Sequence, residues 1–243
     1  MQNLFKQKLV TIVTIMSLCL VTGSINAESR KDKTPKAPLE DRATALLEQQ
    51  LAEIPSKRIP ISIRRTARCV AVFPFVVKAG VLIAGQRGQG LVSCRKTSFD
   101  QWGAPAFYNI TAASIGIQAG IQEASIILMA MTNKSADAFI DEKLSFGGNI
   151  GVSAGPVGAT SNVETSISVA SYVRTEGLFA GVDLDTSNIS FVKKANAKIY
   201  GKGINARQIL LGQTTVPEKL RKFHETLKKL APAVAESSTE DES

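Results

Sequence analysis

The stretch Arg68–Arg95, RCVAVFPFVVKAGVLIAGQRGQGLVSCR, constrains the fold more than any other part of the chain. It is apolar and β-branched, laced with glycine, and bracketed by Cys69 and Cys94. Such residues suit a pleated, half-buried surface, so the stretch reads as buried sheet. Gly80, Gly85, Gly88 and Gly90 mark tight bends or places of close backbone approach. A lone Lys78 in this setting needs a reason, because lysine is almost never fully buried without a partner.

The same pattern continues downstream. Val70–Phe73, Gly80–Gly85, Gly90–Arg95, Phe107–Ile121 and Ser125–Met131 are expected strands, with turns at glycine and proline. Phe146–Val157, Glu164–Val173 and Leu178–Leu184 extend the series. Thr132–Asp141 interrupts it as a short helix for which Asn133 is a cap. Ahead of the sheet, Asp41–Ile54 places Ala43, Leu46, Leu47, Leu51 and Ile54 on one helical face, with Asp41 as cap and Pro55 as stop. Lys57–Arg68 alternates Ile59, Ile61 and Ile63 with basic residues, which predicts an extended segment with one apolar face. Phe191–Leu211 reads as helix broken at Gly201 and Gly203. Pro217 opens a final helix whose Leu220, Phe223, Leu227 and Leu230 form a stripe. The expected fold is α+β: one domain with a curved, largely antiparallel β-sheet, barrel- or sandwich-like, and helices at both ends.

The termini read differently. Lys6 and Lys8 precede an uncharged apolar run, Leu9–Val21, and Ile25-Asn26-Ala27 matches a signal-peptidase site. The run is shorter than the ~20 residues a membrane-spanning helix needs. Residues 1–27 are therefore expected to be a signal peptide that directs export to the periplasm or outside the cell, with a retained anchor as the other reading. Leu18 before Cys19 argues against lipidation. Residues 28–40 read as a flexible leader, 41–231 as the folded domain, and 232–243 as a disordered acidic tail. Removing Lys6 and Lys8 lowers the formal charge of +8 to +6, an excess that suits an anionic surface without naming one. No aromatic-plus-basic pattern for reading nucleic-acid bases is present.

Cys69 and Cys94 flank two strand-like segments in an exported chain, so a disulfide between them is expected over two buried thiols. The materials of catalysis are sparse. His224 is the single histidine, placed between Lys222 and Glu225 as an exposed helix-surface residue, which argues against histidine-based metal sites and serine–histidine–acid triads. Asp183 and Asp185 read as a solvated strand edge before a cation site. Gly85-Gln-Arg-Gly-Gln-Gly90 lacks the lysine and hydroxyl residue of a nucleotide loop and reads as a glycine-rich hairpin. Asn109, Asn133 and Asn188 each begin an Asn-x-Ser/Thr triplet. No enzyme activity and no cofactor are expected.

Two features point to surface binding. Lys57, Arg58, Arg64, Arg65 and Arg68 concentrate basic charge beside three isoleucines, and each such residue is worth about 1 kcal/mol near an anionic bilayer. The final helix is apolar on one side and basic on the other, which fits either a membrane-interface helix or, more commonly, one packed on the sheet with its lysines in water.

Several ordered phrases resemble the SYLF domain, a lipid-binding family that includes fungal actin-associated, Ysc84-like proteins. They are Val70-Ala-Val-Phe-Pro74 with Val77-Lys-Ala-Gly80, Gly85 to Gly90, Trp102-Gly-Ala-Pro-Ala-Phe-Tyr108 and Ser114-Ile-Gly-Ile-Gln118. Ala154-Gly-Pro-Val-Gly158, Tyr172, Gly177-Leu-Phe-Ala-Gly-Val182, and Asn196 with Tyr200-Gly201 follow. The similarity runs from Ala43 to Leu211. It implies phospholipid binding, with Asp41–Ile54 and the basic segment after it as the membrane-facing part and Lys78 as a headgroup contact in the core. The export signal resembles the bacterial branch, whose partner would be an anionic phospholipid or membrane surface of the envelope. A structural or protein-interaction module of the envelope is the rival reading, and a hydrolase a distant third.

Overall fold

A proline in the middle of a central strand organises the sheet. The computed structural model describes residues 37–80, 83–96, 101–115, 120–145, 152–154, 169–176, 184, 187–212 and 214–233. In it β1 (Cys69–Gly80) lies between β2 (Ile83–Cys94) and β4 (Gly120–Ala130). Pro74 has no N–H to give either neighbour, and β1 answers with a bulge. Its register slips between Val72 and Phe75 against β2, and between Phe73 and Val76 against β4. The bulged backbone crowds β2, where only glycine fits. A Cβ on Gly90 would lie 2.4 Å from the Phe73 ring and 2.5 Å from the Val72 carbonyl oxygen. One on Gly88 would lie 2.7 Å from Val76 Cγ2 and 2.8 Å from the Phe75 oxygen. Gly85 to Gly90 is thus mid-strand rather than a hairpin, and close approach, not bending, is what Gly88 and Gly90 supply.

The sheet continues with β3 (Ala106–Ile115), β5 (Lys143–Ser145), β6 (Val152–Ala154), β7 (Val169–Glu176) and β8 (Asn188–Phe191). Its order is β5-β8-β3-β2-β1-β4-β7-β6, curled, and every pairing is antiparallel except β6 with β7. The curved, largely antiparallel α+β architecture is therefore as expected. The span Phe107–Ile121, expected as one strand, holds nearly all of β3 and the first two residues of β4, and Gly80–Gly85 joins the end of β1 to the start of β2. The leader expected over 28–40 ends sooner, because Leu39 and Glu40 already belong to the first helix, Leu39–Ala52. Residues 1–36, 146–151, 155–168, 177–183 and 234–243, with Asp183 and Asp185, lie outside the described residues. So therefore do the signal segment, nearly all of the expected strand Leu178–Leu184, parts of Phe146–Val157 and Glu164–Val173, and most of the acidic tail expected over 232–243. The described residues belong to one compact unit, Ala37–Ser243.

Both faces of the sheet are covered. On one, Ala71, Phe73, Val76, Tyr108, Ile126 and Leu128 pack with α3 (Asn133–Ile140) and α5 (Ala206–Leu210). On the other, Val70, Val72, Leu91, Ile127 and Met129 meet α1 (Leu39–Ala52), α2 (Ile61–Thr66) and α6 (Glu218–Leu230). Leu220, Phe223, Leu227 and Leu230 are all fully buried there, so the apolar stripe of α6 packs on the sheet and is not a membrane face. The segment expected to be extended, Lys57–Arg68, instead forms a turn and α2. Its isoleucines are anchored as Ile59 and Ile63 while Ile61 faces out. The expected caps also move. Pro38, without a side-chain bond, precedes α1, and Thr132 caps α3 in a reciprocal box with Ser135. Between α4 (Lys193–Tyr200) and α5 the chain passes Gly201 and Gly203 at φ 106° and 81°, a conformation that favours glycine.

Two of the phrases that carry the family resemblance, Trp102–Tyr108 and Asn196 with Tyr200-Gly201, are clamps. Trp102 Nε1 donates to the Ala231 carbonyl at 3.0 Å, and Gly103, in the segment leading into β3, lets the backbone pass Leu210, whose oxygen a Cβ would meet at 1.7 Å. Tyr108 donates to the Phe139 carbonyl at 2.6 Å, and Tyr200 to that of Pro105 at 2.5 Å. Asn196, fully buried, mimics a strand neighbour. Its Oδ1 accepts from Phe107 N and its Nδ2 donates to Phe107 O, both at 2.9 Å. At the Cys69 end of β1, Cys69 and Cys94 are register partners with Cα atoms 4.0 Å apart and their sulfurs joined.

Candidate functional site

The end of α1 and the start of α2 form a corner held from inside. Lys57 N and Arg58 N donate to the Ile54 carbonyl at 2.9 and 3.0 Å, turning the chain out of α1. Arg58 reaches back, its Nε and Nη2 donating to the Glu53 carbonyl at 3.1 and 2.7 Å. Cationic donors at orphan carbonyls are what a helix C-terminus favours. Ile59 and Ile63 are buried beneath, while Ile54 is 57% exposed and Ile61 44%. Among the described residues these two and Ile121 are the exposed large hydrophobics.

The arginine run does not act as a unit. Arg64 is only 8% exposed, donating through Nε to Ile59 O at 2.8 Å and through Nη1 to Leu230 O at 2.6 Å. Burial first, then Arg58 and Arg65, pushes its pKa below the ordinary arginine value. Expected as a headgroup contact, Arg64 is instead a bolt between α2 and the last turn of α6. Arg68 is half-buried at the start of β1, its backbone N–H donating to Ala130 O and its carbonyl accepting from Arg95 N. Arg95, which attracted no attention in the sequence, strengthens the same junction. It lies 4.4 Å over the Trp102 ring and donates to Ala67, Ala231 and Pro232 carbonyls at 2.9 Å each. Lys57 and Arg65 remain exposed beside Ile54 and Ile61. The Arg64 bolt also brings the last turn of α6 alongside, with Lys228 and Lys229 exposed.

Lys78 is not brought to this corner. Its side chain shares the face of Val76, the sheet face opposite the one that α1 and α2 cover. One headgroup cannot bridge Lys78 and the arginines. His224, expected on the surface, is half-buried with Nε2 3.1 Å from the Trp102 carbonyl oxygen. Desolvation pushes its pKa below the ordinary histidine value, against the pull of that carbonyl. Asn109, which begins a glycosylation triplet, lies in β3 with its Oδ1 buried.

A cleft of about 430 Å³ opens between α1 and the β1 bulge, lined among others by Arg42, Leu46, Phe75, Glu123 and Arg174. Arg42 lies 6.0 Å over the Phe75 ring and donates to Ala37 O, and Arg174 faces Glu53 at 3.7 Å. Among the described residues no cluster of three His, Cys, Asp or Glu side chains is placed to hold a metal ion. None of their helices is long and apolar enough to cross a membrane. What the corner presents is exposed aliphatic carbon, Ile54 and Ile61, close in the chain to the exposed cations Lys57 and Arg65.

Comparison with known proteins finds related sequences. The family model Ysc84, described as "Las17-binding protein actin regulator", matches residues 111–230. Human "SH3 domain-containing YSC84-like protein 1" is 33% identical over 178 residues, covering 71% of this chain and 52% of that protein. "LAS seventeen-binding protein 3" of Saccharomyces cerevisiae is 31% identical over 166 residues, covering 65% of this chain and 36% of that protein. The chain thus spans about half the length of the first of these relatives and about a third of the second. No solved structure gives a significant match.

Proposed function

This chain belongs to the Ysc84 family of SYLF-domain proteins, and on that footing we propose that it is a non-enzymatic binding module that docks on anionic phospholipid membrane surfaces through the α1–α2 corner. The observation that carries the proposal is the pairing of exposed Ile54 and Ile61 with exposed Lys57 and Arg65 on a backbone fixed by buried Ile59, Ile63 and Arg64. Isoleucine side chains entering the headgroup boundary gain the transfer energy of their exposed area, while the cations gain about 1 kcal/mol each at an anionic surface. Both contributions are needed, because neither two isoleucines nor a few screened charges hold a protein on a bilayer alone. Lys228 and Lys229 at the end of α6 widen the charged rim. Export of the chain after removal of residues 1–27 belongs to the same proposal and would place the module at an envelope membrane.

A protein partner is the second reading, favoured by the relatives' names, which record binding to Las17 and an SH3 domain in the same chain. Flotation of the protein with liposomes separates the two. Binding to vesicles containing phosphatidylglycerol, weakened at high salt and lost in Ile54→Ser/Ile61→Ser, supports membrane docking. No flotation with any anionic vesicle at low salt refutes it and leaves the protein-partner reading.

A further inference from the structure

Lys78 stands at the centre of a row that the register builds across three strands. It is paired with Gln86 on β2 and with Gln122 on β4. Directly opposed residues of antiparallel strands project to the same face, so the three side chains are neighbours. The adjoining rows are short: Gly88, Val76 and Ala124 on one side, Ala84, Gly80 and Gly120 on the other. Gln86 is 3% exposed and Gln122 2%. The Oε1 and Nε2 atoms of both are buried and have no hydrogen-bond partner. A buried amide left unpaired loses its hydration without return, and native interiors rarely tolerate it. Here four such atoms belong to the residues on either side of Lys78, on the face whose neighbouring residues form the apolar core. Leucine or methionine at 86 and 122 would suit that face better, which is the mark of residues kept for something they bind.

We propose that the Gln86–Lys78–Gln122 row binds a hydroxylated oxyanion, meaning a phosphate or carboxylate with neighbouring hydroxyl groups, of which glycerol phosphate is the simplest case. The donor inventory selects this class. Lys78 and the two Nε2 groups donate to anionic oxygens, and the two Oε1 atoms accept from hydroxyls. A bare anion would leave both Oε1 atoms unpaired, and a neutral polyol would leave the ammonium without a counter-charge. The same unit occurs free in solution and as the headgroup of phosphatidylglycerol. The row lies on the sheet face opposite the one that α1 and α2 cover, so it stands or falls independently of membrane docking at their corner.

The test follows side-chain amide resonances of the ¹⁵N-labelled full chain, with Gln86 and Gln122 assigned from Gln86→Met and Gln122→Met. Titration with sn-glycerol 3-phosphate is expected to shift both amide pairs saturably, to raise Tm by about 2 °C or more near saturation, and to do neither in Lys78→Met. The double Gln→Met variant is expected to be at least as stable as the parent without ligand and to gain nothing from it. Shifts with free glycerol phosphate identify a soluble ligand, and shifts only with phosphatidylglycerol vesicles identify the lipid headgroup; either supports the site. No shift with any of them, or equal shifts with sodium chloride at matched ionic strength, overturns it. Loss of vesicle flotation in Ile54→Ser/Ile61→Ser with the amide shifts intact would separate this site from the corner.

Discussion

Arg64 and Arg65 are adjacent, carry the same charge and are indistinguishable in one dimension, yet the structure gives them opposite roles. Arg64→Met keeps most of the aliphatic stem and removes the guanidinium. Two buried carbonyls, Ile59 O and Leu230 O, then lose donors at 2.8 and 2.6 Å. Hydrogen bonds from a charged donor contribute about 1.5–3 kcal/mol each, and relief of the arginine's own desolvation offsets part of that. The net loss is about 3 kcal/mol, or a fall in Tm of roughly 6–12 °C for a domain of this size. Arg65→Glu touches an exposed side chain and should stay within about 0.5 kcal/mol of the parent. Reversing one charge at an anionic bilayer costs about 2 kcal/mol, so vesicle affinity should fall roughly thirtyfold at low salt. Differential scanning calorimetry and vesicle co-sedimentation on the two variants read both axes. The inverse pattern, with Arg64→Met stable but non-binding and Arg65→Glu unstable, would refute the assignment of the arginine run.

The bulge makes a prediction of its own: Gly90→Ala should cost about 1–3 kcal/mol by thermal melt because its Cβ meets Phe73 and Val72, whereas Gly85→Ala, with open space around it, should be neutral or slightly stabilising. Thiol titration of the unfolded, unreduced chain should find Cys69 and Cys94 unreactive, and reduction should lower stability by about 3 kcal/mol, the entropy of opening a loop of this length. His224 has a folded-state pKa below its unfolded value, so the unfolded chain binds more protons as pH falls through about 6.5. Stability should therefore be fully present above that pH and decline below it, and His224→Gln should flatten this part of the Tm–pH curve.

Local patterns were readable where a single segment decides its own burial. The α6 stripe, the α1 face apart from Ile54, which lies past the helix end and is exposed, and the glycine break near residue 201 need nothing but periodicity and backbone freedom. The family was also legible, from phrases of which two, Trp102–Tyr108 and Asn196 with Tyr200, take on a meaning as clamps only in the fold. Where the answer depended on distant partners, sequence patterns were ambiguous or misleading. Gly88 and Gly90 look like turn residues until the Pro74 bulge is placed against them. Arg64 looks like its neighbours because its partner, the Leu230 carbonyl, lies at the other end of the domain sequence. His224 is drawn inward by the Trp102 backbone in the same way. Alternating isoleucines in Lys57–Arg68 fit a strand as well as a turn and one short helix, and only the anchoring of Ile59 and Ile63 decides between them. Gln86, Lys78 and Gln122 become a group only once three strands are in register.

Insertion of the corner into a bilayer can be read directly. An environment-sensitive fluorophore on Ile61→Cys in a Cys19→Ser background reports the polarity around one side chain, and the same label on exposed Gln89→Cys serves as the reference. Adding phosphatidylglycerol vesicles should shift the emission of the position-61 label to the blue, leave the position-89 label unchanged, and have no effect with neutral vesicles or at high salt. An unshifted label at position 61 on vesicles that bind the protein would contradict docking through the α1–α2 corner.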